Sequence, residues 1–317
     1  MEHTLLVNAS PSNFSSCTII LPVFNGLSLV TDCLQSLRDW TDLTRHRLLI
    51  VDDCSDASTQ VFLESAARAH ENLRVLRNET NLGFLAACNR GLASTDTDAV
   101  VLLNSDVVVS PGWLDAMLDC MNRDPRIAAV NPLTNRAEQI ALDMPPGSNF
   151  LGLNETLARR AGTALDVVTP TGFCLLLRRQ ALDEVGVFDP VYGRGYCEES
   201  DLCMRLLNAG WRTVVADDVY VYHRGGGSFV DRDQRYLANR KIFDRRWGKE
   251  YRARFRDFRK INPLGPTRAD FAAPARWEPK PMVWQTARAM LAARQRGDWP
   301  GLLDQAARGT LRTLRSR

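Results

Sequence analysis

The stretch "DAVVLLNSDVVVS", residues 98–110, decides how this chain folds. An apolar run, Ala99-Val-Val-Leu-Leu, gives way to Asn104-Ser105-Asp106 and turns apolar again before Ser110-Pro111-Gly112. A run this short and this apolar reads as a strand buried on both faces, the kind found in parallel sheets. Leaving the Asp106 carboxylate without a partner in such surroundings costs on the order of several kcal/mol. The stretch therefore predicts a hydrogen-bond partner or a cation beside Asp106.

Working outward, the same unit recurs three times before it. "CTIILPVF" (17–24) reads as a strand followed by a helix over about 27–39. "RLLIVDD" (47–53) precedes a helix over about 58–69, and "LRVLR" (73–77) one over about 83–92. A further helix begins near Pro111. Short apolar runs alternating with helical patterns of ten or so residues indicate an α/β fold, a mostly parallel sheet covered by helices. In such sheets ligands bind at the carboxyl ends of the strands. Asn25, Asp52 and Asp53, Asn78 and Asn81, and Asp106 all stand at those ends. Turn and capping preferences explain any one of them, but not like charges gathered at one edge.

"DMPPGSN" (143–149) breaks the pattern. Beyond it, "LDVVTPTGFCLLLRR" reads as one or two strands, followed by a short helix from about 180. A helix over about 199–208, two short strands ending at His223, and Arg-rich helices from 233 complete the chain.

With 317 residues, 45% hydrophobic and 24% charged, the composition is that of a globular protein with one large domain or a domain plus extension. The eight cysteines are scattered through apolar segments with no CxxC pair, which points to reduced core residues in a cytoplasmic protein and away from zinc. "MEHTLLVNASPSNFSS" lacks the basic start and apolar core of a signal peptide. No run approaches the roughly eighteen apolar residues of a membrane span.

The small net charge of +3 hides an asymmetry. Residues 1–223 hold 17 Arg, no Lys and 28 Asp or Glu, a balance of −11, whereas 224–260 hold 13 basic and 5 acidic residues, a balance of +8. Residues 281–317 add +5 from 7 basic and 2 acidic residues. A basic tail follows an acidic front.

The chemistry concentrates in Asp53, Asp106, the cluster Glu198-Glu199-Ser200-Asp201, and His223. Carboxylate plus imidazole suits Mg²⁺ or Mn²⁺ when phosphate oxygens of a substrate complete the shell. On a helix from Glu199, Asp201 and Arg205 pair four residues apart, and the helix dipole favours ionised carboxylates at its start. Three acidic residues within four repel one another, which points to a site, with one of them as general base.

"TIILPVFNG", "LLIVDDCSD", "NETNLGFLAACNRGL", "VLLNSDVVVSPGWL", "GFCLLLRRQALDEVGVFDPVYGRGYCEESDLCMRLLNAGW" and "VYHRGGGS" resemble, in order, the motifs of family 2 glycosyltransferases of GT-A fold, rhamnosyltransferase-type members above all. The resemblance spans about 18–228. It implies that Pro22 and Phe24 line the nucleotide base pocket, with Asp53 bonding the base, and that Asn25, Asn81, Gly83, Asn104 and Ser105 complete the donor site. Asn104-Ser105-Asp106 stands where the family shows Asp-x-Asp, with Asp106 and His223 as metal contacts. Glu199 occupies the catalytic-base position, with Glu198, Asp201 and Gly172 supporting it or the acceptor. Asn104 departs from the family's first Asp and removes one charge.

The expected protein is an inverting glycosyltransferase taking sugar from a UDP-sugar or dTDP-rhamnose to a hydroxyl of a glycan or lipid-linked acceptor. Its expected organisation is a disordered 1–16, a GT-A domain over 17–230 (donor half 17–131, acceptor half 132–230) and a helical extension over 231–317. A silent binding or scaffold protein of this fold is the alternative. A sugar-nucleotide pyrophosphorylase is disfavoured, since "PVFNGLS" carries no basic residue. In "RRWGKEYRARFRDFRK" (245–260) the aromatics are expected to pack down and the arginines to face water, so no nucleic-acid contact is expected. The Arg-bearing tail over 281–317 fits an anionic membrane surface, a docking helix or an oligomer contact.

Overall fold

A computed structural model describes residues 14–145, 147–225 and 232–272. The expected disorder of 1–16, the Gly-rich residues after Gly225 and the basic tail lie wholly or mostly outside the described residues. Every element named below belongs to one compact unit.

The amino-terminal half follows the sequence pattern. Strands β1 (Thr18–Val23), β2 (Arg47–Asp52), β3 (Leu73–Arg77) and β4 (Ala99–Leu103) pair in parallel in the order β3-β2-β1-β4. Helices α1 (Leu27–Trp40), α2 (Ala57–Arg68) and α3 (Phe84–Ala93) make the crossovers, and α4 (Trp113–Asn122) follows a two-residue strand β5 (Val107–Val108). Every residue of β1 and β4 is buried, as runs covered on both faces require. Gly91 brings α3 onto the sheet: a Cβ there would overlap Ile20 and crowd Val51.

The carboxyl half is mixed. From β4 the sheet continues through β8 (Cys174–Arg178) and β6 (Ile127–Thr134) to β9 (Arg212–His223) and β5, with β7 (Ala164–Asp166) also on β9. β8 runs antiparallel to both β4 and β6, while β9 is parallel to β6. The two strands expected before His223 are one: β9 pairs Pro132 with Ala216 and then Leu133 with Tyr220, so Asp217, Asp218 and Val219 bulge from the ladder. Neither β6 nor α5 (Phe150–Leu157) was marked by the pattern, β6 because Asn131 and Pro132 interrupt its apolar run.

Helices α6 (Arg179–Val185) and α7 (Glu198–Asn208) flank a 3₁₀ turn at Pro190–Tyr192. The chain then forms α8 (Arg232–Ile261) and α9 (Gly265–Ala272). These belong to the same compact unit as the sheet. Phe243 and Tyr251 of α8 are buried in the core, and Trp247, Phe255 and Phe258 pack against it, while Arg245, Arg252 and Arg256 face solvent. The 245–260 segment is thus an amphipathic helix whose aromatics face inward. All eight cysteines are free and all but Cys54 are buried. Among the described residues no helix is long and apolar enough to cross a membrane.

Candidate active site

Parallel pairing puts the carboxyl ends of β1 to β4 along one edge. Asn25, in the left-handed region at φ 56°, ties two of the exits together: its N–H donates to Ser55 Oγ (2.9 Å) and its Oδ1 accepts from the Asp56 N–H (2.7 Å). Pro22 is buried inside β1 opposite Val51, so of the two residues expected around a base only Phe24, 47% exposed, offers its ring at the rim.

Asp53 is engaged within the protein. Its buried carboxylate accepts from Asn78 Nδ2 (2.6 Å) and from the backbone N–H groups of Leu82 (2.9 Å) and Gly83 (2.7 Å). The negative charge sits at the start of α3, where the dipole favours it. With three donors on a 3% exposed carboxylate, Asp53 shapes the loop carrying Asn81 and Gly83. The same bonds occupy the N–H groups of Leu82 and Gly83 at the start of α3. Asn81 is engaged as well: its main-chain and side-chain oxygens both accept from Arg194. Asp52, also buried, pairs with Arg77.

Asp106 meets His223 because β5 pairs antiparallel with β9, Val107 facing His223. Asp106 Oδ2 lies 3.3 Å from His223 Nε2. Asp106 Oδ1, His223 Nδ1 and the neighbouring Asn104 Oδ1 are buried with no hydrogen-bond partner. Buried polar atoms are ordinarily satisfied, so an orphaned carboxylate oxygen on Asp106, beside His223, fits a bound cation. The donor set is one carboxylate, one imidazole and one amide; among the described residues no group of three or more His, Cys, Asp or Glu gathers to hold a metal. Such a site suits Mg²⁺ or Mn²⁺ completed by outside oxygens. Asn135 fixes the strand beneath, bonding both the N–H (2.8 Å) and the carbonyl (2.9 Å) of His223. Ser105 is half-buried between the two.

Glu198 and Glu199 open α7. Glu198 is buried, with Oε2 lacking a partner; burial first, and then the charge of Glu199, push its carboxyl well above the ordinary range. Burial likewise raises the half-buried Glu199. A carboxyl raised in this way is suited to accept a proton near neutrality. Asp201 plays a different part: wholly buried, it accepts from the Tyr192 hydroxyl, Arg205, Arg246 and Trp247, and so fastens α7 to the 3₁₀ turn and to α8.

Gly172 and Phe173 join the two groups. The Phe173 ring stacks on His223 with centroids 5.2 Å apart. A Cβ on Gly172 would lie 3.8 Å from Cβ and Cγ of Glu199. Asn131 holds this step, accepting from the Thr171 N–H (2.6 Å) and donating to the carbonyls of Thr171 (3.0 Å) and Cys174 (2.5 Å). The sequence reading missed Phe173, Asn131, Asn135, Arg194 and Asp32, whose carboxylate pairs with Arg224. Of these only Arg194, a lone cation between Gly193 and Gly195, carries a local signal.

Three comparisons with known proteins bear on this arrangement. GalNAc-T7, solved with UDP, GalNAc and Mn²⁺, superposes at a TM-score of 0.60 with 15% identity, over 75% of this chain and 50% of that one. The likeness shows the fold, the mixed sheet flanked by helices of GT-A glycosyltransferases. A pre-mycofactocin glycosyltransferase of Mycobacterium tuberculosis is 32% identical over 200 residues, 62% of this chain; the chain spans only 40% of that relative. An N-acetylglucosaminyl-diphospho-decaprenol L-rhamnosyltransferase of the same organism is 31% identical over 210 residues, 57% of this chain and 68% of its own. The family model described as Glycosyl transferase family 2 matches residues 18–186, more than half the chain. The chain belongs to glycosyltransferase family 2.

Proposed function

We propose that this protein is an inverting glycosyltransferase moving a sugar from a nucleotide-diphosphate donor to a hydroxyl of a glycan or lipid-linked acceptor, as in the building of cell-surface polysaccharides. The observation that carries the reading is the step at Gly172 and Phe173, which sets the Asp106 and His223 pair on one side and Glu199 on the other. Charge neutralisation and proton removal, the two needs of the transfer, are thereby adjacent. The relative named for rhamnose transfer to a decaprenyl-diphosphate sugar supports a lipid-linked acceptor, and the neighbour solved with UDP and Mn²⁺ supports a nucleotide donor.

Asp106 and His223, with Asn104 alongside, would hold Mg²⁺ or Mn²⁺, whose chemistry when bound is to offset negative charge on the donor's diphosphate. Glu199 takes the proton from the acceptor hydroxyl. The hydroxyl oxygen forms its bond to the anomeric carbon on the face opposite the diphosphate, the bond from that carbon to the phosphate oxygen breaks, and the diphosphate leaves with the electron pair. Configuration at the carbon inverts. Phe24 at the rim stacks on the base.

The test is calorimetric titration of UDP, dTDP and GDP, with and without Mn²⁺, into the wild type and Asp106→Ala. Binding of one nucleotide that requires Mn²⁺ and disappears in the variant is expected. Binding of none overturns the donor site and leaves a silent protein of this fold.

A further inference from the structure

The backbone entering α7 is strained. Gly193, Gly195, Tyr196 and Cys197 adopt φ of 59°, 126°, 77° and 72°. Glycine accepts such angles freely, but Tyr196 and Cys197 do not, and non-glycine residues persist there only when their surroundings over-determine them. Glu198 and Glu199 follow directly.

The restraint comes from α8. The Asn239 amide Nδ2 lies 2.8 Å from the Tyr192 carbonyl, 2.7 Å from that of Gly195 and 3.1 Å from that of Tyr196. One amide thus spans the carbonyls of the turn at both ends. Two turns further along α8, Arg246 and Trp247 reach Asp201 on the first turn of α7 itself. Arg194, inside the same turn, donates to Asn81 of the donor-side loop. The turn is therefore held from α8 on one side and touches the donor loop on the other.

We propose that Asn239 is a positioning residue of the transfer reaction: by binding these carbonyls it holds the strained 193–197 turn, and through it sets Glu199 in place for proton abstraction. The inference rests on the glycosyltransferase reading above. Asn239 acts through the turn whose carbonyls it bonds. Misplacement of a catalytic group by about 1 Å costs roughly 10²-fold in rate.

The experiment compares the full chain with Asn239→Asp, which keeps the shape but loses the N–H donors, and Asn239→Ala. Amide hydrogen exchange over 192–200, nucleoside-diphosphate affinity by calorimetry, and kcat and KM for the sugar donor are measured together. Local opening governs exchange. The expected result is exchange about tenfold faster, confined to that segment, with kcat lower by about 10²-fold and donor KM and nucleotide affinity unchanged. Unchanged exchange in both variants overturns the proposal, as does faster exchange with full kcat. A variant in which nucleotide affinity and melting temperature fall along with kcat makes Asn239 a folding residue, and overturns it too. Failure of the wild type to bind any nucleoside diphosphate sinks the functional reading instead, and the exchange measurement still decides whether Asn239 holds the turn.

Discussion

Removing the Asp201 carboxylate should cost this protein a large part of its stability. The group has no exposed surface. Oδ1 accepts from the Tyr192 hydroxyl (3.0 Å), Trp247 Nε1 (2.7 Å) and Arg246 (3.3 Å), and Oδ2 from Arg205 Nε (2.8 Å). Breaking a buried ion pair from one side typically costs about 3–5 kcal/mol, because the remaining charge is left uncompensated. Here both arginines keep other partners: Arg205 still reaches the carbonyls of Val185, Gly186 and Val187, and Arg246 still reaches Asp189. Arg246 is also 39% exposed. The lower end of the range therefore applies, about 3 kcal/mol for Asp201→Ala. Asp201→Asn keeps an oxygen for Tyr192 and Trp247 but turns an N–H₂ toward Arg205, losing one charge-assisted bond, about 2 kcal/mol. At about 2–4 °C per kcal/mol for a domain of this size, Asp201→Ala should melt roughly 6–12 °C below the wild type. Urea unfolding supplies the free energies, provided the slope is unchanged. A loss below about 1 kcal/mol for Asp201→Ala, the level of a solvated surface pair, would refute the reasoning.

Two further outcomes follow from the acidic start of α7. Glu199→Gln should lower kcat by about 10²- to 10⁴-fold with nucleoside-diphosphate binding intact; retention of wild-type turnover removes Glu199 from the chemistry. Glu198 is raised in the folded state above its unfolded value near 4.5, so the native protein binds more protons and stability falls as pH rises from that value through the raised one. Glu198→Gln removes that loss: its melting temperature should exceed the wild type's at pH 8 and converge with it at pH 4, and a difference independent of pH counts against the assignment.

How far the sequence could be read depended on how local each signal was. The parallel half was legible because each of its strands is a short apolar run that ends in a polar residue and hands over to a helix. β9 looked like two strands because Asp217 and Asp218 resemble a turn, and only pairing with β6 shows that they bulge from a continuous ladder. The same limit applies to Asp53. A carboxylate at a strand end has one local signature whether it faces a ligand or, as here, Asn78 and the N–H groups of Leu82 and Gly83. Asp106 and His223 could be matched through family resemblance, but their contact is a matter of register between β5 and β9. Asn239 had no signal: an amide on an Arg-rich helix looks solvated until the carbonyls of a distant turn are found around it.

The charge asymmetry along the chain acquires a structural reason from the same contacts. An acidic front and a basic segment after it invite a search for an anionic partner, yet part of that basic charge is used inside the molecule. Arg246 meets Asp189 and Asp201, and Arg224 meets Asp32. The aromatic face of α8 alone would hold it against the core by non-directional burial, which sets no register. Pairing Arg246 with two carboxylates on separate elements adds a directional restraint, and Asn239, two turns earlier on the helix, bonds carbonyls of the turn before α7. Loss of the Arg246 contacts should therefore slacken the same turn as loss of Asn239, although Arg246 bonds none of its carbonyls.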